Sequence, residues 1–553
     1  MVSPRTPDPD QALQQQAETR TAMLLVGGLT LIRLIALFRT PLELYPDEAQ
    51  YWLWSRSLAF GYFSKPPIIA WAIWASTALG GDTEPWVRLP AALFQGGAAF
   101  TVFLLARRLY DGRTALLATA LYALAPGIQL SALAVATDAP LLFFLGLALL
   151  AYAALQGAEP GRRLAPAAGL GAALGLAFLS KYAAVYALVG IALHLVVSKT
   201  ARRSWSPAAA ALALGVFAAV LAPNLAWNAA HGFATFRHTA SDANWIGRQL
   251  FNIGELGEFL GTQFAVFGPI PFAVLLAGAA ILGARRRLQP PDLLLLCFTL
   301  PPILIVAAQA FVSRANANWS GASYLAGAVL VAAWLTRWRA HRLAVAALAI
   351  QGVIAAAFFA VVLQPRLADS LGQANSLKRA RGWDQTAEAV IRKARSEQIG
   401  GISAVAVNNR FLYDALAYYG RSYFGQPLAP KLAIWIRGER VGNQAEASAP
   451  LGPANGQRVL AVAYEGWFDT EMAADFTKVL RPEIDDVWLD RKHSRLLTMF
   501  VGEGFRPQPR DPKTGYPNPQ WKPGDKVVAK LGPDGVGPQR FQPWRFWPWR
   551  FWP

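Results

Sequence analysis

The sequence predicts an all-α polytopic membrane protein with a small α/β domain at its C-terminal end, and three observations lead there. Of 553 residues, 54% are hydrophobic and only 16% charged, against roughly 25% charged in an ordinary soluble domain. The apolar residues are gathered into long runs, and crossing a bilayer as a helix takes about 20 of them. At Gln364-Pro365 the composition turns polar and stays so to about residue 505.

Eleven runs meet the helix criterion, at approximately 22–38, 88–106, 114–131, 138–155, 164–180, 183–198, 207–227, 259–283, 292–312, 320–336 and 343–363. The polar stretch 1–21 is expected to be a cytoplasmic N-terminal segment. The first run ends in Phe38-Arg39-Thr40 without a small-residue cleavage pattern, so it reads as a membrane helix and not as a signal peptide. The stretch 66–79 is apolar but short, and Trp71 and Trp74 suit it to the interface. Charge agrees with that choice. Arg107, Arg108, Arg113, Arg162, Arg163, Lys199, Arg202, Arg203, Arg285, Arg286, Arg287, Arg337, Arg339 and Arg342 put fourteen cations in five short alternate loops. The opposite loops hold Arg39, Arg56, Lys65, Arg88, Lys181, Arg237, Arg248 and Arg314. A cytoplasmic N-terminus satisfies the positive-inside rule, and counting 66–79 as a span would invert every later loop. The loop 39–87 and the polar domain are then extracytoplasmic, periplasmic in a bacterium.

The formal charge of +18 is spread through these loops instead of forming a basic face or domain, so it argues for topology and against nucleic acid. The lone Cys297 lies in an apolar run, which excludes a disulfide framework and a cysteine-based metal site. In the segment 364–505, Ile402–Val407, Lys431–Ile436 and Val459–Tyr464 read as strands and Trp383–Glu397 as a helix. From Arg506 to Pro553, proline and glycine dominate and Pro-Trp-Arg-Phe-Trp occurs twice, at 543–547 and 548–552. That tail is expected to be disordered, with Trp/Arg contact to the membrane surface as one role and no role as the other.

The loop 39–87 carries Tyr45-Pro-Asp-Glu-Ala-Gln-Tyr-Trp52, with carboxylates at Asp47 and Glu48. Acidic residues suit the first turn of a helix, and Trp52 and Trp54 suit an interface, so a plain helix start explains the segment taken alone. Its company raises a functional reading. Lys65-Pro66-Pro67 follows in the same loop, Asp138 opens the fourth run, Lys181 stands in a short turn after the fifth, and Arg314 opens the turn Ser313–Trp319. All fall on the expected outer side, where ionisable groups at membrane depth are costly and tend to serve function. Each has a bland alternative: Lys65 and Lys181 as snorkelling anchors, Asp138 as a helix cap, Arg314 as a loop charge, His231 and His238 as interfacial or structural side chains.

Tyr45–Trp52, Gly61-Tyr-Phe-Ser-Lys-Pro-Pro67, Thr137-Asp-Ala-Pro-Leu141 and Leu179-Ser-Lys-Tyr182 together resemble the polytopic glycosyltransferases of the GT-C fold. The branch is that of the lipid A aminoarabinose transferases and protein O-mannosyltransferases. The resemblance covers about residues 40 to 320 and matches the soluble domain only in position and general kind. It implies a GT-C arrangement of about eleven transmembrane helices and an inverting transfer of sugar from a polyprenyl-phosphate carrier to lipid A, lipopolysaccharide core or another envelope glycolipid. It assigns Asp47 and Asp138 as catalytic acidic residues, Asp47 activating the acceptor. Lys65 and Lys181, and Arg314 less directly, would bind the donor phosphate. Glu48, Tyr51, His238 and Trp319 are candidate substrate contacts, and Trp54 and Trp245 further aromatic ones. A divalent metal is left open, because aminoarabinose transferases carry Glu immediately before the Lys-Pro motif and this chain has Ser64.

The chemistry fits those residue types. Breaking the sugar–phosphate bond builds negative charge on the leaving phosphate, which fixed cations stabilise, and a hydroxyl acceptor must lose a proton to a carboxylate. Were the acceptor itself a phosphate, Asp47 would orient it instead. A Ser or Thr of an exported protein is the alternative acceptor. A transporter or flippase would place polar residues near mid-bilayer with internal repeats, neither of which is evident, and a non-catalytic scaffold would keep Asp47 and Lys65 apart.

Overall fold

A computed structural model describes residues 9–242, 251–285, 287–398, 400–464, 469–490, 493–510 and 517. Trp245 and nearly all of the tail beyond Arg510 lie outside the described residues. The architecture is that expected, a bundle of apolar helices with a small sheet domain. All eleven apolar runs fold as helix, but not as eleven straight spans. Six are single helices long and apolar enough to cross a bilayer: Asp10–Arg39, Glu84–Leu109, Asp138–Gln156, Pro207–Ala230, Pro290–Val312 and His341–Leu363. Three are shorter, Leu164–Ser180, Tyr182–Val197 and Ser323–Arg337, as is Ile68–Gly80 in the stretch set aside as interfacial.

The other two are broken. The run 114–131 forms Gly112–Ala123 and Pro126–Leu133, bent by 61°, and the run 259–283 forms Ile253–Val266 and Pro269–Ala284, bent by 115°. In each a proline opens the second helix. Proline lacks the N–H the helix would need and pushes the preceding residue out of helical dihedrals, as at Ala125 with φ −56° and ψ 133°. Before Pro269 the chain turns through Gly268 at φ 104°, a conformation open to glycine at little cost. Among the described residues, by length and composition, the helices give six spans, or up to eight with each bent pair taken as one, against the eleven expected.

The chain forms two compact units. The helical one comprises the residues up to Thr40 and Leu58–Leu363. Its buried core joins Phe103, Tyr122, Tyr152, Phe272 and Trp334 from five helices. Packing there is close: a Cβ on Gly278 would lie 2.2 Å from the Trp334 ring.

The second unit comprises Pro41–Ser57 and the described residues from Gln364 on. The front of the loop 39–87, read as part of the membrane domain, therefore folds with the C-terminal domain. That domain holds a mixed sheet of five strands in the order β2-β1-β3-β5-β4. The strands are β1 Ala404–Val407, β2 Lys431–Ile434, β3 Arg458–Tyr464, β4 Phe476–Trp488 and β5 Ser494–Phe505. Central β1 is buried at every residue and pairs in parallel with β2 and β3, as expected of a strand covered on both faces. The three strands expected from the sequence form; the antiparallel hairpin β4–β5 was not foreseen. Helices Trp383–Gln398 and Arg410–Tyr419 bury Trp383, Val390, Leu412 and Leu416 against one sheet face. Ordered packing continues past residue 505, because Asp475 accepts from Gln508 N–H and Arg510.

Candidate active site

In the helical unit two helix ends meet. Asp138 opens Asp138–Gln156, where a carboxylate suits the positive end of the macrodipole. Lys181 follows the last residue of Leu164–Ser180 in extended conformation. Its Nζ donates to both carboxylate oxygens of Asp138, at 2.9 and 3.0 Å, with each side chain just under one-fifth exposed. An ammonium has three protons, so Lys181 keeps one for another partner. Asn318 Nδ2 stands 3.5 Å from Asp138 Oδ2.

Asp138 lines a pocket whose wall also includes Ser131, Leu142, Val266, Asn318 and Tyr324. Buried Gln263 fixes one side: its Oε1 accepts from Ser320 Oγ at 2.9 Å and Tyr324 Oη at 2.6 Å, and its Nε2 donates to the Ala317 carbonyl. The other side is held by Gln95, which donates to Ser131 Oγ and accepts from Tyr122 Oη. Beyond it lies Arg33, 1% exposed, donating to the Ala123 carbonyl at 2.8 Å and towards Gln129 Oε1 at 3.4 Å. Arg33 thus satisfies a carbonyl freed at the end of Gly112–Ala123. Sequence reasoning missed it, although an arginine inside the first apolar run was the available signal.

Lys65 is half-buried in the turn before Ile68–Gly80. That turn is tied to its surroundings through neighbouring residues. Thr235 Oγ1 donates to the Tyr62 carbonyl, Asn224 Nδ2 donates to the Phe60 carbonyl, and a Cβ on Gly61 would lie 2.4 Å from the Trp227 ring. His238 packs edge-on against Phe63, ring centroids 6.0 Å apart. Trp319 is half-buried against the cluster of Phe259, Val306 and Ala310. Arg314 is exposed, and the described residues offer its guanidinium no partner.

Asp47 and Glu48 lie in the other unit, on the helix Pro46–Ser55. Glu48 behaves as a helix-start residue: it is fully buried and its Oε2 accepts from the Tyr45 N–H at 2.8 Å. Asp47 does more. Arg410 Nη1 donates to its Oδ1 at 2.9 Å, while no donor among the described residues reaches its buried Oδ2. Arg379 Nη1 donates to Tyr45 Oη at 2.8 Å, and both guanidinium groups lie over Phe411, at 5.0 and 4.5 Å from the centroid. Tyr51 is buried, its ring 5.3 Å from that of Trp54. Burial pushes the carboxyl of Asp414 well above the usual range; Arg410 opposes the shift and Asp47 adds to it. Arg379, Arg410 and Asp414 escaped sequence reasoning because they stand more than three hundred residues from the motif they serve.

Among the described residues no three of His, Cys, Asp and Glu assemble as a metal-binding group. Ser64 offers no carboxylate and Asp138 faces Lys181 with both oxygens. The residues present therefore do not fit a metal centre at this position.

Three comparisons bear on this geometry. Residues 64–227 match the family described as dolichyl-phosphate-mannose-protein mannosyltransferase. Lipid A galacturonosyltransferase RgtD of Rhizobium johnstonii is 38% identical over 317 residues, 57% of this chain and 65% of that protein; the chain thus spans just under two thirds of the length of this relative. The crystal structure of ArnT from Cupriavidus metallidurans bound to undecaprenyl phosphate superposes with a TM-score of 0.62 at 16% identity, covering 86% of this chain and 97% of that one. Its apo state gives 0.60 at 16% identity, covering 88% and 98%. At that identity the likeness establishes the GT-C fold of a multi-pass membrane protein.

Proposed function

We propose that this protein is an inverting glycosyltransferase that moves a sugar, in the first instance galacturonic acid, from a polyprenyl-phosphate carrier to lipid A at the periplasmic face of a bacterial inner membrane. The observation that carries the reading is the Asp138–Lys181 pair, whose carboxylate lines a pocket and whose two residues fall within 64–227, the stretch that matches the mannosyltransferase family. A lipid-borne donor explains why the pair lies among apolar helices.

Lys181, held by Asp138 with one proton to spare, stabilises the charge that grows on the leaving phosphate. Lys65 and Arg314 supply further cations to the same phosphate. Asp47 takes the proton of the acceptor hydroxyl, and a single displacement inverts the anomeric centre. Glu48 caps its helix through the Tyr45 N–H and stands beside Asp47 as a further substrate contact. Trp319 and His238, in the helical unit, and Tyr51, beside Asp47, are further substrate contacts in this scheme. The match to the mannosyltransferase family over residues 64–227 favours a second reading, transfer to Ser or Thr of an exported protein.

Mass spectrometry of lipid A from cells with and without the gene tests the proposal. One hexuronic acid fewer without the gene is the expected result. An unchanged lipid A profile together with a lost sugar on an exported protein would transfer the case to the second reading.

A further inference from the structure

We propose that Arg410 is the positioning residue for Asp47: it holds one carboxylate oxygen and leaves the other directed at the acceptor hydroxyl. The inference rests on the reading of Asp47 as the proton acceptor.

The two residues are 363 positions apart in the chain, yet both belong to the C-terminal unit. Several contacts fix Asp47's helix against the helix Arg410–Tyr419. Tyr419 Oη accepts from the Leu44 N–H at 2.7 Å, and the rings of Trp52 and Tyr418 meet edge-on at 4.9 Å. Ahead of that helix, Glu43 Oε2 accepts from the Trp383 N–H. Arg410 is fixed in turn: Asn409 caps its helix through the Phe411 N–H at 2.7 Å, the guanidinium lies over Phe411, and Nη1 also stands 3.4 Å from Gln50 Oε1.

This arrangement divides the carboxylate. Oδ1 is occupied by a charged donor, whereas Oδ2 is buried with no donor among the described residues, and Asp47 as a whole is 4% exposed. Leaving a buried acceptor unmet costs about 1–3 kcal/mol, more when it is charged. An acceptor O–H answers that demand. In the transfer its proton passes to Oδ2, its oxygen bonds the anomeric carbon, and the carbon–phosphate oxygen bond breaks with the electron pair leaving on the phosphate.

The charged and titratable groups that act on Asp47 are Arg410, Arg379, Tyr45 and Asp414. Tyr51, also beside Arg410, belongs to Asp47's own helix. Asp414 lies one turn from Arg410 on the same helix, and burial raises its carboxyl well above the usual range. Arg410 therefore places a fixed cation against Oδ1 and sets the direction of Oδ2.

The test uses full-length protein in detergent, with undecaprenyl-phosphate-linked galacturonic acid as donor and purified lipid A as acceptor. Arg410→Gln should lower kcat at least tenfold, leave the donor KM within twofold, and move the acid limb of the kcat profile to higher pH. The sign follows because a carboxylate base that loses a neighbouring cation is held in its charged form less strongly. Arg410→Lys, which keeps the charge but not the planar fork, should leave the acid limb in place and still lose turnover. Adding Arg410→Gln to Asp47→Asn should cost nothing further. Wild-type kcat with an unmoved limb in Arg410→Gln overturns the inference, and if that variant does not fold, wild-type kcat in Arg410→Lys does so. Full turnover by Asp47→Asn would instead overturn the reading of Asp47 itself, whatever Arg410 variants do.

Discussion

Lys181 grips both carboxylate oxygens of Asp138, at 2.9 and 3.0 Å, from the end of a neighbouring helix. Neither charge is then alone among apolar residues. Asp138 also fixes the Lys181 ammonium, so a residue able to bind a phosphate is held in place before any donor arrives.

Lys181→Ala and Asp138→Asn should each lower kcat/KM by about 10²–10³-fold, the range seen when one preorganised electrostatic contact is removed. The stability cost should stay near 1 kcal/mol, because the pair is partly solvated. Steady-state kinetics beside thermal melts in detergent separate the two effects. A large melting shift with unchanged kcat/KM would assign the pair to structure alone.

Gly61 faces the Trp227 ring so closely that a Cβ would approach to 2.4 Å, and Lys65 stands four residues on. Gly61→Ala should displace the turn, raising the donor KM several-fold, with an overpacking cost of about 1–3 kcal/mol. Trp227→Leu in the same background should recover part of the affinity by making room. Donor titration of the single and double variants measures this; a double variant no better than the single would place the fault elsewhere.

Asp414 offers a pH test. Its folded-state pKa is raised above the ordinary aspartate value, with burial the main cause. The folded state therefore holds a proton that the unfolded chain has released, and stability falls as pH climbs from the ordinary aspartate range towards the raised value. Asp414→Asn removes that penalty. The melting temperature of the variant should match wild type at low pH and rise progressively above it as pH increases, and parallel curves would mean that Asp414 is ionised in the fold.

Much of this was legible in the sequence. Hydropathy marked every helical run, since a segment in lipid must be apolar for its whole length. The charge pattern singled out Asp138 and Lys181, and the structure joins them. Glu48 was suspected of belonging to a helix start, and its bond to the Tyr45 N–H agrees. The breaks at Pro126 and Pro269 were marked by their prolines, but hydropathy averages over them. The hairpin β4–β5 was hidden because β4 is largely exposed and its composition resembles a loop.

The sequence by itself determined that the chain lives in a membrane, which segments are helical and which acidic and basic residues are too costly there to be incidental, because burial in lipid imposes its rule on each short segment separately. Only the tertiary structure decided that Asp47 folds with the C-terminal domain, that Arg410 holds it, and that Arg33 tends a broken span. Those relations depend on side chains brought together across hundreds of residues by packing, and no local pattern of hydropathy or charge encodes which of many cations will meet which carboxylate.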